Sequence, residues 1–288
     1  MNNPLHKFST SLKPAYGSIM AAAIGLMTAF HPLLHAEEDL RAKTQNPVGS
    51  LISVPFENNF DFGADNGEAF VMNVQPVIPV RIGDWNLINR VIAPIIRVPG
   101  TISGLPVLPQ GGTEDINKSS SKWGLGDINY SLFLSPAEPG KMIWGVGPSL
   151  TMRTATSDFT GSGKWSAGPT AVILMQPKPW SVGVLGRQLW SFAGSHNRDS
   201  VSQFLVQPFV NYNLDDGWFL FSDPTMTANW KAGSGNRWTV PLGAGVGRLF
   251  KIGGQAINTR AGAFYNIEKP DSAPDWTIKF TLQFLFPK

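Results

Sequence analysis

The chain has 288 residues, with 23 Lys and Arg against 20 Asp and Glu, ten tryptophans and no cysteine. Its mean hydropathy of −0.04 is too polar for a bundle of membrane helices, each of which needs about 20 consecutive apolar residues. The lack of cysteine excludes disulfide scaffolds and thiolate metal sites, and the aromatic fraction of 11% argues against a disordered chain.

The first 36 residues have the order of a secretory signal. Lys7 and Lys13 are the only Lys, Arg, Asp or Glu in this stretch, residues 16–30 are largely apolar, and Ala36 is a small residue at the expected cleavage point. A membrane anchor is the alternative, but about 15 apolar residues are short for a transmembrane helix. We therefore expect a cleaved signal peptide over residues 1–36.

Removal of this signal leaves a chain of nearly balanced charge. No block of roughly five to eight Lys or Arg residues remains, so we expect no nucleic-acid partner. The mature chain divides into a short N-terminal segment over residues 37–48, predicted to be periplasmic, and one large domain over residues 49–288.

The large domain consists of alternating segments separated by Gly, Pro, Asn and Asp. The last segment is the clearest, because Trp276, Ile278 and Phe280 alternate with Thr277 and Lys279. No amphipathic helix is evident. This periodicity predicts about twelve strands, near 49–58, 68–81, 84–98, 122–135, 140–154, 163–177, 180–193, 200–213, 217–230, 236–250, 254–267 and 274–286.

Strand lengths and connections favour a membrane barrel over a soluble sandwich. Membrane-spanning strands need about 9–11 residues, whereas soluble strands centre on about five or six. Short connections alternate with longer ones along the chain, as in barrels with short periplasmic turns and long external loops. The sequence thus predicts an all-β fold, a single antiparallel up-and-down transmembrane β-barrel of about 12 strands.

Prolines inside the predicted strands oppose this interpretation. Proline cannot donate to the ladder and is normally an edge residue, and a closed barrel has no edge. We expect several of these prolines to lie at bulges or strand ends. They are Pro55, Pro76, Pro94, Pro148, Pro169, Pro208, Pro224 and Pro241.

Tryptophans lie near the ends of the predicted strands. In a soluble sandwich they would more often occupy the middle of a strand, whereas outer-membrane barrels carry aromatic girdles at both membrane interfaces. We therefore expect an interface girdle formed by Trp85, Trp123, Trp144, Trp165, Trp180, Trp190, Trp218, Trp230, Trp238 and Trp276.

The polar faces of the strands are expected to line the lumen. Exposing Arg or Lys to lipid at the bilayer midplane costs about 2–4 kcal/mol, so charges indicate which face points inward. Either a water-filled or ligand-binding interior or a plugged interior with mutually paired groups fits this pattern. The predicted lumen-facing residues are Glu57, Asn73, Gln75, Arg90, Asp127, Arg153, Arg187, Arg260 and Lys279.

The longest predicted connection covers residues 99–121. Its first half is apolar, with Ile102, Leu105 and Leu108, and its second half is polar. One hypothesis is that it folds inward and narrows the pore. A mobile surface loop is the simpler interpretation and the one that the sequence favours.

Catalytic and metal-binding patterns are weak. His196 is the only histidine after the signal, and its neighbour Ser195 could suggest a lipid hydrolase. Adjacent residues in a short loop rarely reach each other as nucleophile and base, so a surface histidine is the better interpretation. The glycine-rich residues 243–247 lie inside a predicted strand, not before a helix, which argues against a phosphate loop. We expect no metal, no cofactor and no enzymatic activity.

Several segments together resemble a family of outer-membrane barrels labelled for the meta pathway of phenol degradation, some members of which carry the mistaken label neuromedin U. The segments are NPVGSLISVPF (46–56), GLGDIN (124–129), IWGVGP (143–148), GSGKW (161–165) and QPFVNYN (207–213). The resemblance covers nearly all of residues 45–288. It implies a bacterial outer-membrane barrel that passes small hydrophobic or aromatic compounds.

The sequence therefore predicts an outer-membrane channel or transporter for small, hydrophobic or aromatic molecules. An outer-membrane lipid-modifying hydrolase and a closed structural or surface-interaction barrel are the alternatives. The expected partners are outer-membrane lipid, the barrel-assembly machinery and a small-molecule solute, and the sequence leaves the oligomeric state open.

Overall fold

A computed structural model of the chain describes residues 38–100, 102–108 and 121–287. The chain divides into two compact units, Met1–Leu40 and Arg41–Lys288. Of the first unit only residues 38–40 are described, and they are helical. The expected signal over residues 1–36 lies outside the described residues. The described residues contain no helix that is both long and apolar enough to span a membrane.

The second unit is built almost entirely from antiparallel strands. Residues 41–44 are helical, and Ser234–Asn236 form one turn of 3-10 helix. Fifteen strand segments form a single sheet. They are β1 (Ile52–Ala64), β2 (Gly67–Val74), β3 (Val77–Ile82), β4 (Trp85–Val98), β5 (Lys122–Leu125), β6 (Ile128–Pro136), β7 (Met142–Met152), β8 (Lys164–Met175), β9 (Trp180–Gly194), β10 (Ser202–Asn213), β11 (Trp218–Ser222), β12 (Met226–Asn229), β13 (Trp238–Ile252), β14 (Gln255–Glu268) and β15 (Trp276–Phe286).

The sheet closes on itself because the last segment, β15, pairs with the first, β1, from Ile52↔Phe286 to Phe62↔Trp276. Three spanning strands are interrupted: β2 and β3 both pair with β1 and β4, β5 and β6 both pair with β4, and β11 and β12 both lie between β10 and β13. The result is a closed antiparallel barrel of 12 strands, as predicted.

Two of the three interruptions fall at proline, which has no N–H to give to the ladder. Pro76 separates β2 from β3 and Pro224 separates β11 from β12. Pro241 lies at a register shift between β13 and β14. Those three match the expectation of bulges or breaks, whereas Pro55, Pro94, Pro148, Pro169 and Pro208 are held within paired strands, with Pro148 directly opposite Pro169.

The first strand differs from its predicted range of 49–58. It runs on to Ala64, so residues 59–64, expected in a loop, belong to the barrel. Contacts with other strands stabilise these residues inside the sheet: Asp61 accepts a hydrogen bond of 2.6 Å from Thr277 Oγ1, and Phe60 packs on Phe70 with ring centroids 5.0 Å apart. A polar lumen permits such residues in a spanning strand.

The connections define two ends of the barrel. We call the end where β1 begins the short-turn end, and its connections are residues 83–84, 137–141, 176–179, 214–217 and 253–254. The opposite, long-loop end carries residues 65–66, 99–121, 153–163, 195–201, 230–237 and 269–275. Apart from the tight first hairpin, the alternation of short and long connections agrees with the sequence pattern.

The two faces of the sheet differ in chemistry. In β15, Trp276, Ile278 and Phe280 are 43–50% exposed, whereas Lys279 and Thr281 are buried at 6% and 4%. Exposed apolar side chains recur on almost every strand, over a far larger area than soluble monomers show. An outward apolar belt with an inward polar face is the arrangement of an outer-membrane barrel.

The tryptophans lie towards both barrel ends. Trp85, Trp144, Trp180 and Trp218 lie towards the short-turn end, and Trp123, Trp165, Trp190, Trp230, Trp238 and Trp276 lie towards the long-loop end. Several rings contact another aromatic ring, such as Trp180 with Tyr212 and Tyr265 with Trp276, both at 4.7 Å between centroids. Their role as an interface girdle stays a prediction.

Candidate functional site

The barrel encloses a central cavity. It contains about 1550 Å³ of empty space, part of which is open to solvent, and residues from strands all around the barrel line it. Polar groups such as Asn129 and Thr170 share this lining with the apolar side chains Phe133, Leu185 and Leu205. A cavity whose lining combines apolar side chains with many hydrogen-bonding groups can bind small molecules that carry both kinds of surface.

The cavity is covered at the long-loop end by residues 102–108, which we call the mouth segment. Ile102, Leu105 and Leu108 are 0–4% exposed and form a cluster with side chains of β2 and β4. The segment also reaches the far side of the mouth, where Ser103 and Ser272 hydroxyls lie 3.0 Å apart and Gln203 Nε2 donates to the Pro106 carbonyl at 3.2 Å.

This position corrects the interpretation of the 99–121 connection as a mobile surface loop, at least for its apolar half. Removing apolar side chains from water is favourable. Ile102, Leu105 and Leu108 are buried by packing at the mouth of the barrel. The polar half, residues 109–120, lies outside the described residues.

A second segment crosses the short-turn end. Residues 41–51, which we call the lower segment, contact the turns there: Arg41 Nη1 donates to the Leu214 carbonyl at 2.7 Å and Gln45 Nε2 to Asn213 Oδ1 at 2.8 Å. Val48, 2% exposed, enters the lumen and belongs to the apolar cluster that contains Ile88 and Phe133. The predicted periplasmic segment 37–48 therefore has its last residue inside the barrel.

Seven of the nine residues predicted to face the lumen line the central cavity. Arg260 lines an adjoining cavity next to the lower segment, and Arg153 follows the end of β7, is exposed, and lines neither. The lining set is Glu57, Asn73, Gln75, Arg90, Asp127, Arg187 and Lys279.

An ion triad joins the β11–β15 wall. Asp223 accepts hydrogen bonds from Arg260 Nη2 at 2.8 Å and from Lys279 Nζ at 3.3 Å. Aromatic rings complete the surroundings, with Phe221 3.8 Å from the Arg260 guanidinium and Phe264 4.8 Å from the Lys279 ammonium. Buried charges need such partners, and cation–π contacts add to their stabilisation.

Asp223 was not among the predicted site residues. It lies in the break between β11 and β12, where polar residues occur on both faces and the alternation is weak. A carboxylate inside a spanning strand is itself a signal, because it needs a cation or several hydrogen-bond donors on the lumen side. That rule would have identified Asp223, although not which cations it pairs with.

Asp127 anchors the 153–163 loop to the barrel wall at the long-loop end. Its Oδ2 accepts from the Ser162 backbone N–H and hydroxyl, both at 2.7 Å, and its Oδ1 accepts from the Thr154 and Ala155 N–H groups at 3.2 and 3.1 Å. Four donors satisfy this carboxylate without a cation. Asp127 thus lines the cavity but acts first as a loop anchor.

The β1–β4 wall carries a separate polar network. Asn59 and Asn73 amides donate to Glu57 Oε1 at 3.2 and 3.4 Å, and Arg90 Nη2 donates to Gln75 Oε1 at 2.9 Å. Arg90 forms no salt bridge with any described residue. Its one hydrogen-bond partner in the described part of the chain is therefore a neutral amide, while the Glu57 carboxylate lines the same cavity without contacting it directly.

Arg187, in β9, has still fewer partners. Its Nε is buried without a hydrogen bond, and among the described residues no side chain or carbonyl bonds to its guanidinium. Leu205 lies directly across from it in β10, and Thr170 faces it in β8. Arg187 is the least satisfied charge that faces the cavity.

Hydrolytic and metal chemistry have little support in the described part of the chain. His196 is exposed in the 195–201 loop and makes no hydrogen bond to a serine within residues 38–100, 102–108 and 121–287. Ser195 instead accepts at its carbonyl from Lys164 Nζ at 2.7 Å. The same residues contain no group of three His, Asp or Glu side chains that could hold a metal ion.

The chain matches no protein-family model, and no curated protein sequence is similar to it. Among solved structures, the COG4313 outer membrane channel from Pseudomonas putida F1 is similar, with a TM-score of 0.58 and 14% identity over 83% of this chain and 96% of that one. This similarity shows the same outer-membrane barrel fold.

Two further solved structures are less similar. The toluene transporter TodX from Pseudomonas putida has a TM-score of 0.40 and 11% identity, over 82% of this chain and 87% of that one. Outer membrane phospholipase A from Escherichia coli has a TM-score of 0.39 and 11% identity, over 83% of this chain and 96% of that one.

Proposed function

We propose that the protein is an outer-membrane channel for small molecules that have an apolar body, aromatic compounds among them. The observation that carries this proposal is the central cavity between the mouth segment and the lower segment. Its lining combines the edges of the apolar side chains Phe133, Leu185 and Leu205 with hydroxyl, amide and charged groups. Burial of apolar surface against such walls provides roughly 25 cal/mol per Å².

The two covering segments determine what kind of channel this is. Each is held by a few hydrogen bonds to the barrel wall and by apolar contacts. A wide water-filled pore needs no such covers, so we expect small ionic conductance and selective passage of solutes that bind inside.

The cellular setting completes the proposal. Residues 1–36 direct export and are cleaved, the segment 37–48 begins on the periplasmic side, and the barrel-assembly machinery inserts residues 49–288 into the outer membrane. The chain is a distant member of the family labelled for the meta pathway of phenol degradation, on the strength of the five sequence segments that resemble that family. The tryptophans near both barrel ends form its girdles in the membrane, and the protein is not an enzyme.

The mouth segment offers the first test. Gly104 has a φ of +75°, and a Cβ placed there would lie 2.8 Å from Ala273 Cβ and 2.9 Å from Thr239 Oγ1. Gly104→Val should therefore displace the segment from the mouth. We expect larger single-channel conductance in planar bilayers and faster uptake of benzyl alcohol into liposomes than for the unmodified chain.

Gly140→Val is the matched control, because a Cβ at Gly140 meets nothing within 4 Å. It should leave conductance and uptake unchanged. If the unmodified chain and Gly104→Val both fold yet neither conducts ions nor takes up benzyl alcohol, the channel proposal is wrong and a closed structural barrel is the better description.

A further inference from the structure

Arg187 and Arg90 line one cavity, and neither forms a salt bridge with an acid among the described residues. Glu57 accepts hydrogen bonds from two amides, Asp61 from Thr277, Asp127 from four donors of the 153–163 loop, and Asp223 from its two cations. Of the Arg187 guanidinium only Nε is buried without a partner, so the rest of its hydrogen-bonding capacity is open to the cavity. An anion that enters from outside could use that capacity.

The two arginines belong to one bay of the lumen. Strands β6, β7 and β8 separate β4 from β9, which amounts to about 20 Å along the curved wall at about 4.8 Å per strand. Both arginine side chains line the central cavity from these two strands. The intervening wall carries the small hydroxyl side chains Ser131 and Thr170, both of which line the cavity.

Apolar side chains adjoin this bay. Leu205 is paired with Arg187 across β9 and β10, Leu185 lies two residues before Arg187 on the same face, and Phe133 lines the cavity from β6. A solute that meets both features must carry an anion at one end and an apolar body at the other. Planar carboxylates suit guanidinium groups, which bind them through paired hydrogen bonds.

We propose that Arg187, with Arg90, binds the carboxylate of a small amphipathic acid, such as an aromatic carboxylate, while Phe133, Leu185 and Leu205 contact its apolar body. This inference rests on the proposed channel function and names the solute class for it. It also explains why the lumen combines a positive bay with an apolar wall, which a channel for purely neutral hydrocarbons does not require.

The test compares three probes on the folded, full-length mature protein in detergent, by equilibrium dialysis: benzoate, neutral benzyl alcohol, and acetate, which lacks the apolar body. We expect benzoate to bind more tightly than either of the others. Arg187→Gln should weaken benzoate binding by about tenfold or more, because a charge-assisted hydrogen bond is lost. The affinity for benzyl alcohol should stay unchanged.

Matched variants separate the two halves of the site. Arg153 lies outside the cavity, so Arg153→Gln should leave all three affinities unchanged. Leu205→Ala should weaken the binding of benzoate but not that of acetate. A heat-dependent shift in gel mobility checks that each variant is folded. Equal affinity for benzoate and benzyl alcohol, benzoate binding that is insensitive to Arg187→Gln, or acetate binding as tight as benzoate would each overturn the proposal.

Uptake into liposomes distinguishes this inference from the channel function. If benzyl alcohol enters through the protein but Arg187→Gln does not alter benzoate binding, the carboxylate site is wrong and the channel stands. If benzoate binds in an Arg187-dependent way but no solute is taken up, the site stands and the channel function fails.

Discussion

The two sides of the lumen hold their charges differently. On the β11–β15 wall, Asp223 joins Arg260 and Lys279 at 2.8 and 3.3 Å, and all three side chains are at most 20% exposed. On the β4–β9 wall, Arg90 hydrogen-bonds the neutral Gln75 side chain and forms no salt bridge, and Arg187 has no hydrogen-bond partner, among the described residues. Both walls face the same barrel interior.

This difference separates structural charges from charges available to a solute. A closed ion triad links β14 and β15 to the break between β11 and β12, and every member has a partner. An arginine without an internal partner, such as Arg187, adds no ion pair to the fold, and any desolvation of its charge opposes folding. We infer that the first wall keeps the barrel closed and the second recognises what passes through it.

Removal of the shared acid is the strongest test of this contrast. Asp223→Asn leaves Arg260 and Lys279 buried near each other without a counter-charge, and breaking a buried ion pair costs about 3–5 kcal/mol. We expect a loss of that size in the free energy of unfolding, measured by urea titration in detergent with tryptophan fluorescence as the signal.

Arg187→Gln is the corresponding change on the other wall. Because it removes a cation that has no internal partner, the free energy of unfolding should change by less than about 1 kcal/mol or increase. If the two variants were equally destabilised, the division into structural and solute-binding charges would be untenable.

The strand pattern could be predicted because it depends on local alternation. In β15 the alternation of Trp276, Ile278 and Phe280 with Thr277 and Lys279 shows which side chains face outward and which face the lumen. The closed 12-strand barrel follows from repeated segments of this kind. The end of β1 could not be predicted, since Phe60 and Asp61 are stabilised by Phe70 and Thr277 from other strands.

Side-chain contacts between the strands of the lumen wall could not be predicted from the sequence for the same reason. Charge alone indicated that Arg187, Arg260 and Lys279 face inward, but their different surroundings depend on how the sheet closes. The mouth segment carried a signal in its apolar residues. For Val48 we see no local signal, because its burial depends on the lumen width left by Ile88 and Phe133.

Asp127 provides an intermediate case between the two walls, an acid satisfied by neutral donors. Asp127→Asn keeps one acceptor but loses the charge that strengthens four hydrogen bonds to the 153–163 loop. We expect a loss of about 1–3 kcal/mol in the free energy of unfolding and faster proteolysis within that loop. Asp158→Asn, an exposed residue of the same loop, should show neither effect.

The smallest effect is expected outside the lumen, where a salt bridge joins the end of β3 to the 137–141 connection at the short-turn end. Arg81 Nη2 and Glu138 Oε1 lie 3.3 Å apart with side chains 59% and 87% exposed, so water and salt screen their attraction. Glu138→Gln should lower the free energy of unfolding by roughly 0–1 kcal/mol, and less at high salt. A loss as large as that of Asp223→Asn would mean that burial does not govern the energetics of these charges. The contrast between the two lumen walls would then lose its physical basis.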